Sequence, residues 1–235
     1  MGNSWFRFKQ FKVEQQGAAM KVGTDGVLVG AMGFIPASGF ILDIGCGTGV
    51  IALMAAQRSE TATIHAIEID AQATKQSEEN FKESPWSERI SAQQISVFDY
   101  LPTTRYNAIL CNPPFFINSI KNPNNELSIA RHCNEQFSHT RLLEHVMKEL
   151  LAPDGRFTLI LPTIEAELLL KYAAQQKIGV YHIDKIHSFA DSPAVRYIIQ
   201  FVHNEMQTSY GKITLYSAPN VRSEEYNKLM QDFYL

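Results

Sequence analysis

The chain alternates short apolar runs with longer amphipathic stretches. The runs have the length of strands buried on both faces of a parallel sheet, and they lie at 40–43, 62–69, 90–95, 106–111 and 156–161. Apolar residues recur at helical spacing between several of these runs, at 50–58, 71–83, 142–151 and 164–176. Strands that alternate with helices predict an α/β fold with a doubly wound, mostly parallel sheet.

The pattern changes in the last third of the chain. Two apolar runs, at 181–187 and 195–203, flank a turn at Ser192-Pro193. This arrangement predicts an antiparallel strand pair at the end of the sheet. A last short strand at 213–216 and a terminal helix at 223–233 complete the predicted elements.

The N-terminal residues form a separate pattern. Residues 6–12 alternate aromatic and cationic side chains, which indicates a strand whose basic face is either solvated or in contact with RNA. A helix follows, with Thr24 or Asp25 as its N-cap. We expect one domain spanning 1–235, in which residues 1–35 form an extension, a strand plus a helix, that packs on the core.

Composition narrows the class of protein. Of 235 residues, 45% are hydrophobic and 19% are charged, as in an ordinary globular protein. The chain shows no apolar run of membrane-spanning length and no signal-like N-terminus, so we expect a cytoplasmic protein without membrane contact. The three cysteines lack metal-binding spacing, and no metal is expected. With a net charge of −3, any RNA site must be a local patch.

A glycine-rich loop follows the first of the predicted parallel strands. That strand ends at Asp43, and the next residues, Gly45, Cys46, Gly47 and Gly49, enter a helix near Val50. Glycines allow a tight turn and the close approach of a ligand. A dinucleotide-binding loop would place its third glycine at the position of Val50, so this loop is not of that type.

An acidic residue stands at the end of the following strand. Glu68 lies about twenty residues after the loop, a spacing that suits hydrogen bonds to ribose hydroxyls. Ile69 follows it directly. The strand at 90–95 is followed by Ser96, with Asp99 three residues further on.

The strand at 106–111 runs into Asn112-Pro113-Pro114-Phe115. The prolines stiffen the turn and hold Asn112 at the carboxyl end of its strand. The Asn112 side-chain oxygen and the Pro113 carbonyl can each accept a hydrogen bond from one planar amino group. Phe115 offers a face on which a ring can stack. The site therefore predicts recognition of an exocyclic amine.

Residues 117–140, directly after this site, are polar and without clear periodicity. A loop of this length is usually functional or disordered. Its arginines and histidines give it local positive character, so it either covers a bound base, grips RNA, or is a solvated insertion.

These motifs resemble those of class I S-adenosylmethionine-dependent methyltransferases. Asp43-x-Gly45-x-Gly47-x-Gly49 resembles their first motif, and Asn-Pro-Pro-aromatic resembles the fourth motif of the amino-methyltransferases. The resemblance implies a Rossmann-like, doubly wound sheet of seven strands and S-adenosyl-L-methionine as the cofactor. The cofactor-binding residues it implies are Lys21, Thr24, Asp43, Gly45, Cys46, Gly47, Gly49, Glu68, Ile69, Asp99 and Asn112, and the catalytic residues are Asn112, Pro113, Pro114 and Phe115.

More specific segments narrow the resemblance to one family. The N-terminal aromatic run, the run from Ala19 to Leu28, Ser84-Pro85-Trp86-Ser87-Glu88-Arg89-Ile90 and the closing Asp232-Phe233-Tyr234-Leu235 are similar to the bacterial tRNA1(Val) adenine N6-methyltransferases. The family implies methylation of adenosine 37 in the tRNA anticodon loop. That family often has Tyr at the position of Phe115, so guanine-N2 methylation of rRNA and glutamine methylation of a protein stay open.

Overall fold

The computed structural model describes residues 4–16, 21–114 and 138–235. Its centre is an eight-stranded sheet with the order β10-β8-β9-β7-β6-β3-β4-β5. The strands are β3 (Phe40–Ile44), β4 (Thr63–Glu68), β5 (Ile90–Gln94), β6 (Tyr106–Cys111), β7 (Leu151–Pro162), β8 (Gly179–His187), β9 (Ala194–Val202) and β10 (Ser209–Thr214).

Three small elements lie outside this sheet. An N-terminal hairpin consists of β1 (Trp5–Arg7) and β2 (Lys12–Glu14), and a second small ribbon consists of β11 (Tyr216–Ala218) and β12 (Val221–Arg222). A single turn of 3-10 helix, Ser87–Arg89, precedes β5.

Six helices complete the described fold. They are α1 (Thr24–Met32), α2 (Val50–Arg58), α3 (Ala71–Lys82), α4 (His139–His145), α5 (Thr163–Gln175) and α6 (Glu224–Met230). One turn of π-helix, Val146–Leu150, extends α4 into β7.

Strand direction confirms the predicted fold class. The strands are parallel except β9, which runs antiparallel to both of its neighbours, β7 and β8. The predicted number of seven strands is wrong by one, because β10 adds an eighth strand parallel to β8 at the sheet edge. The sequence pattern marked only the apolar end of β10, since its first four residues are polar, aromatic or glycine.

The helices cover both faces of the sheet, as a doubly wound fold requires. Residues of α1, α2 and α6 share one buried cluster with one face of the sheet, to which Val27, Leu53 and Met230 contribute. Residues of α4 and α5 share a second cluster with the other face, to which Leu142 and Leu169 contribute. The carboxyl ends of the parallel strands open between these two layers.

The N-terminal segment corrects one predicted element. Residues 6–12, expected to form one strand, fold as the β1–β2 hairpin with a turn between the strands. Phe8 and Phe11 stack at 4.4 Å between ring centroids, and both are buried. Their burial explains the turn, because two aromatic residues three positions apart cannot share one face of a straight strand. The predicted extension over residues 1–35, which would consist of this hairpin and α1, stays a prediction.

Two boundaries differ from the predicted ones. Helix α4 begins at His139, with the Ser138 hydroxyl accepting a hydrogen bond from the Arg141 amide at 3.1 Å, so the predicted loop does not extend to residue 140. Helix α1 starts after Gly23, which provides no side-chain cap, and neither Thr24 nor Asp25 is the N-cap.

Arg89 connects the end of α2 with the segment that leads into β4. Its guanidinium donates hydrogen bonds to the carbonyl oxygens of Ala56 at 2.5 Å, Ser59 at 2.9 Å and Ala62 at 2.9 Å. These carbonyls belong to the last turn of α2 and to its connection with β4, where a helix leaves its carbonyl groups without internal partners. The Ser-Pro-Trp segment that carries part of the family resemblance therefore has a structural role.

We expect Arg89→Met to lower the free energy of unfolding by about 2 kcal/mol, because three carbonyl groups lose a charged donor. Chemical denaturation of the purified variant measures the effect. Arg7→Met, the same change on the exposed face of β1, is the matched control and should leave the free energy of unfolding within about 0.5 kcal/mol of the unmodified protein. Equal stability of the two variants would contradict the assigned role of Arg89.

Candidate active site

The strand register aligns three of the predicted site residues. Ile44 of β3 pairs with Ile67 of β4 and with Cys111 of β6. The residues that follow these partners are Gly45, Glu68 and Asn112, so all three lie at one level above the sheet. Neighbouring strands are about 4.8 Å apart, which places Glu68 and Asn112 about 10 Å from each other with Gly45 between them.

The glycines of the loop have two different roles. Gly45, Gly47 and Gly49 all have positive φ angles, of 68°, 53° and 82°, which favour glycine. A Cβ atom at Gly45 or Gly47 would meet no atom within 4 Å, whereas one at Gly49 would lie 2.4 Å from the Phe81 ring. Gly45 and Gly47 thus leave room for a ligand, and Gly49 allows α2 to pack closely on α3.

Asp43 is a fully buried carboxylate beneath this loop. Its Oδ2 accepts a hydrogen bond from the Ala52 amide at 3.0 Å, at the start of α2, so it fixes the loop against the helix. Its Oδ1 is buried without a hydrogen-bond partner among the described residues. Burial raises the pKa of Asp43 to about 7, although the Ala52 amide favours the charged form. A positively charged ligand group beside Oδ1 would compensate this cost.

Glu68 joins the loop to the end of β4. Its Oε2 accepts a hydrogen bond from the Gly47 amide at 3.0 Å. Its Oε1 accepts from the amides of Ile69, at 2.8 Å, and Asp70, at 3.0 Å. The side chain of Ile69 is 58% exposed, next to this carboxylate. An exposed apolar side chain beside a hydrogen-bond acceptor suits the two sides of a nucleoside.

The side-chain oxygen of Asn112 is buried, and no described residue gives it a hydrogen bond. Asn112 faces the N-terminal part of α1, because a Cβ atom on Gly26 would lie 3.8 Å from its Nδ2. A buried acceptor without a donor is costly, and a ligand that brings a donor to this oxygen would remove that cost. Pro113 is buried beside it, and Pro114 is exposed.

Two features near Asn112 escaped sequence reasoning. His139, at the start of α4, hydrogen-bonds to the backbone of Pro114, and burial lowers the pKa of its imidazole. The guanidinium Nε of Arg196, on β9, lies 3.0 Å from Oδ2 of Asp25 and so ties the first turn of α1 to the sheet. Both contacts join residues far apart in the chain, which no local pattern reveals. In the sequence, only the position of Asp25 relative to the apolar residues of α1 indicated such a contact.

Other predicted residues are placed less closely. Lys21 and Thr24 are exposed, in the segment that leads into α1, and their contacts to a cofactor stay predictions. The Cys46 thiol packs inward, with its Sγ 3.6 Å from the Ser77 hydroxyl, and its amide and carbonyl are bonded to Ile67 and Gly49. Its part in the site is therefore to shape the loop, and a contact to the cofactor is untested.

Asp99 is exposed and lines a cavity of about 440 Å³ with His65, Tyr100 and Tyr106. The glycine loop contributes no residue to that cavity. Ser96 lies only two positions after Gln94, the register partner of Glu68. Ser96 therefore lies closer than Asp99 to the level of Glu68, and the predicted contact of Asp99 with the cofactor stays a prediction.

Some predictions fall outside the described residues. Phe115 and most of the segment 117–140 are among them, so the stacking face and the covering loop stay predictions. The described residues contain no group of three or more His, Cys, Asp or Glu side chains that could hold a metal ion. None of the helices in that part of the chain has the length and apolar character needed to cross a bilayer.

Comparison with known proteins places these observations in a family. The family model described as "Methyltransferase small domain" matches residues 22–160. The tRNA1(Val) (adenine(37)-N6)-methyltransferase of Pedobacter heparinus is 39% identical over 98% of this chain and 97% of its own. The enzyme of that name from Aliivibrio fischeri is 37% identical over 98% of this chain and 97% of its own.

Solved structures agree on the fold. A predicted O-methyltransferase, protein Atu636 from Agrobacterium tumefaciens, superposes with a TM-score of 0.67 at 16% identity, covering 89% of this chain and 96% of its own. TYW2 of Pyrococcus horikoshii, solved with MeSAdo, superposes with a TM-score of 0.60 at 13% identity, covering 86% of this chain and 72% of its own. At these identities the likeness concerns the fold alone.

Fold, glycine loop and family model together define a class I S-adenosylmethionine-dependent methyltransferase. This confirms the predicted class and cofactor. Within the class, the chain belongs to the tRNA1(Val) (adenine(37)-N6)-methyltransferase family, because its relatives match it over almost their full length. The residues present fit the cofactor: Asp43 has a buried oxygen without a partner, and Gly45 and Gly47 leave open space beside it.

The raised pKa of Asp43 predicts a pH-dependent stability. The folded protein holds this proton up to about pH 7 and the unfolded chain loses it near pH 4, so stability falls as pH rises through that window. We expect Asp43→Asn to remove about 2–3 kcal/mol of this fall between pH 5 and pH 8. Denaturant unfolding at several pH values measures it. Asp99→Asn, at an exposed acid, is the control, and an equal slope for both variants would contradict the burial argument.

The two glycine roles predict different defects. Gly49→Ala adds a clash with Phe81 to backbone strain and should cost about 2–4 kcal/mol of stability. Gly45→Ala should cost only about 1–2 kcal/mol, from strain, but should weaken S-adenosylmethionine binding strongly because the new methyl group enters the ligand space. Unfolding curves and calorimetric titration separate the two effects. A Gly45→Ala protein with normal cofactor affinity would refute this division.

Proposed function

We propose that this protein transfers the methyl group of S-adenosylmethionine to the N6 atom of adenosine 37 in tRNA1(Val). The observation that carries the proposal is the buried Asn112 oxygen, which has no donor among the described residues and lies level with the glycine loop. The names of the full-length relatives support tRNA as the substrate and adenine N6 as the target atom.

Two acidic residues of the chain are proposed to hold the cofactor. Asp43 supplies a buried carboxylate oxygen for the amino group of its methionine part. Glu68 supplies an acceptor for the ribose hydroxyls, because its Oε2 accepts one hydrogen bond, from the Gly47 amide, and a carboxylate oxygen can accept two. Bound in this way, the cofactor supplies a sulfonium methyl group, which is already activated for transfer. The protein therefore contributes mainly position and orientation.

Asn112 and Pro113 orient the target amine. The Asn112 Oδ1 accepts one N6 proton and the Pro113 carbonyl accepts the other, which leaves the nitrogen lone pair directed away from both acceptors. The stiff proline turn fixes these two oxygens, and the bond between His139 and Pro114 anchors the turn to α4. Two acceptors select an amino group and disfavour a carbonyl oxygen at the same position.

The target base has to leave its stack before it can reach this site. Adenosine 37 lies in the anticodon loop, where unstacking is less costly than in a duplex. Phe115, directly after the turn, is the proposed stacking partner of the base, and the positive residues of 117–140 are proposed to contact the surrounding RNA. No acid or base is needed beyond solvent to remove the proton that the product amine loses.

We expect Asn112→Ala to keep the affinity for S-adenosylmethionine within a few-fold and to lower methyl transfer by about 10²–10³, because the amine loses one of its two acceptors. Asn112→Asp is the matched control, since it keeps an acceptor of the same length, and it should retain more activity than the alanine variant. Initial rates with tRNA and calorimetric titration of the cofactor measure both. Turnover of Asn112→Ala within a few-fold of the unmodified enzyme would refute the role.

The substrate is tested with total RNA and labelled S-adenosylmethionine, followed by nucleoside analysis. The proposal predicts N6-methyladenosine in tRNA1(Val), and no labelling when adenosine 37 is replaced by guanosine. Labelled N2-methylguanosine in rRNA, or labelled glutamine in protein, would instead identify one of the two alternative substrates that the Asn-Pro-Pro-Phe motif allows.

A further inference from the structure

Two lysines lie side by side on the edge of the sheet furthest from the glycine loop. Lys212 of the edge strand β10 is the register partner of Lys185 of β8, and both are exposed. Paired residues of neighbouring strands project from the same face of a sheet. Like charges in this relation repel each other and are destabilising. The stability of the folded protein therefore does not explain this pair of lysines.

Both ammonium groups are held in place without being neutralised. Lys212 donates a hydrogen bond to the Ala190 carbonyl at 2.9 Å, and the Lys185 Nζ lies 5.3 Å from the centre of the Tyr197 ring. No carboxylate of the described residues lies within ion-pair distance of either one. The positive charge of the pair is therefore available to an anionic partner.

Three of the nearby carboxylates have other partners, and a fourth, that of Asp191 beside Ala190, forms no ion pair with either lysine. Glu167 of α5 accepts a hydrogen bond from the Tyr197 hydroxyl at 3.4 Å. Glu225 of α6 accepts one from the Thr214 amide at 2.9 Å. Asp184 projects to the opposite face of β8, where its Oδ1 lies 3.1 Å from Nε2 of His182. The face that carries the two lysines therefore keeps a local positive charge in a protein whose net charge is −3.

The register places this pair level with the active site. Lys185 pairs with Tyr197, and Tyr197 pairs with Leu161 of β7. Leu159 pairs with Cys111, so the same register continued by two residues sets Leu161 beside Pro113. With strands about 4.8 Å apart, Lys185 lies about 14 Å and Lys212 about 19 Å from Pro113 along one row.

This distance suits a nucleic-acid backbone that enters the active site. Successive nucleotides of a stacked strand rise about 3.4 Å along its axis, so these distances correspond to a few nucleotides beyond a base bound at Asn112. An aromatic ring lies at the same edge: Phe189, 40% exposed, precedes Ala190, the residue to which Lys212 is bonded. Cations beside an exposed ring are the combination that binds phosphates together with bases or sugars.

We propose that Lys185 and Lys212 bind phosphates of the tRNA that flank the methylated nucleotide, and so hold the anticodon arm at the β8–β10 edge of the sheet. This inference rests on the proposed function for its partner, an RNA, and adds the surface that binds it. The pair acts in binding and not in methyl transfer, because it lies too far from the reacting atoms to contact them.

The double variant Lys185→Gln/Lys212→Gln tests this surface. We expect the Kd and KM for tRNA1(Val) to rise at least tenfold, with the kcat at saturating tRNA and the affinity for S-adenosylmethionine unchanged. The slope of log Kd against log salt concentration should fall by about one to two, as expected when two phosphate contacts are lost. Fluorescence anisotropy with labelled tRNA gives Kd and its salt dependence independently of any methylation.

The control is Lys75→Gln/Lys82→Gln, which removes two exposed lysines from α3, near the opposite end of the sheet. This control variant should change neither the Kd for tRNA nor its salt dependence by more than about twofold. An unchanged Kd and salt slope in the first double variant would overturn the proposal. Aggregation of that variant with unchanged tRNA binding would also overturn it, because the lysines would then serve only to protect the edge strand.

The anisotropy assay separates this inference from the proposed function. If the unmodified protein binds tRNA but methylates another nucleoside, the assignment of adenosine 37 fails while the lysine contacts are still measured. If it methylates adenosine 37 with the same tRNA affinity in both double variants, the lysine surface fails and the proposed function stands.

Discussion

Parallel pairing of β4, β3 and β6 is the constraint on which the site depends. Each strand contributes one residue at the level just beyond its last pair, and these residues are Glu68, Gly45 and Asn112. A shift of one residue in either pairing would turn a whole strand over and move its functional side chain to the other face. The hydrophobic residues that bury both faces of the sheet therefore also fix the positions of the groups that hold cofactor and base.

The site contains buried polar atoms that have no hydrogen-bond partner among the described residues. Asp43 and Asn112 each bury an oxygen without a partner among the described residues, and the pKa of Asp43 is raised in consequence. Such atoms lower the stability of the protein. They also leave acceptors preorganised for an ammonium group and for an exocyclic amine, so that little reorganisation is needed when these ligands bind. The hydrogen bond from the Ala52 amide fixes the carboxyl group of Asp43, and the two prolines after Asn112 restrict the backbone there, so both oxygens are kept in place.

The two halves of the sheet have different roles in the enzyme. The β3–β4 side carries the loop and the acid expected to hold the cofactor, and the β9–β8–β10 side carries positive and aromatic residues. Asn112 and Pro113 lie between the two. A protein with a small negative net charge can bind RNA, because only the residues that contact the RNA need to be positive.

The sequence alone determined the parts of this protein that local chemistry governs. The glycine-rich loop after Asp43, the position of Asn112 at the end of its strand and the α/β class follow from spacing and from the backbone properties of glycine and proline. Tertiary structure decided what depends on contacts between distant segments. The turn between Phe8 and Phe11 exists because both rings are buried, and the edge strand β10 exists because β8 offers it hydrogen bonds. The same reason applies to the bond of His139 to Pro114, the ion pair of Arg196 with Asp25, and the row that aligns Lys185 and Lys212 with the active site: packing and register create them, and no periodicity within one segment records them.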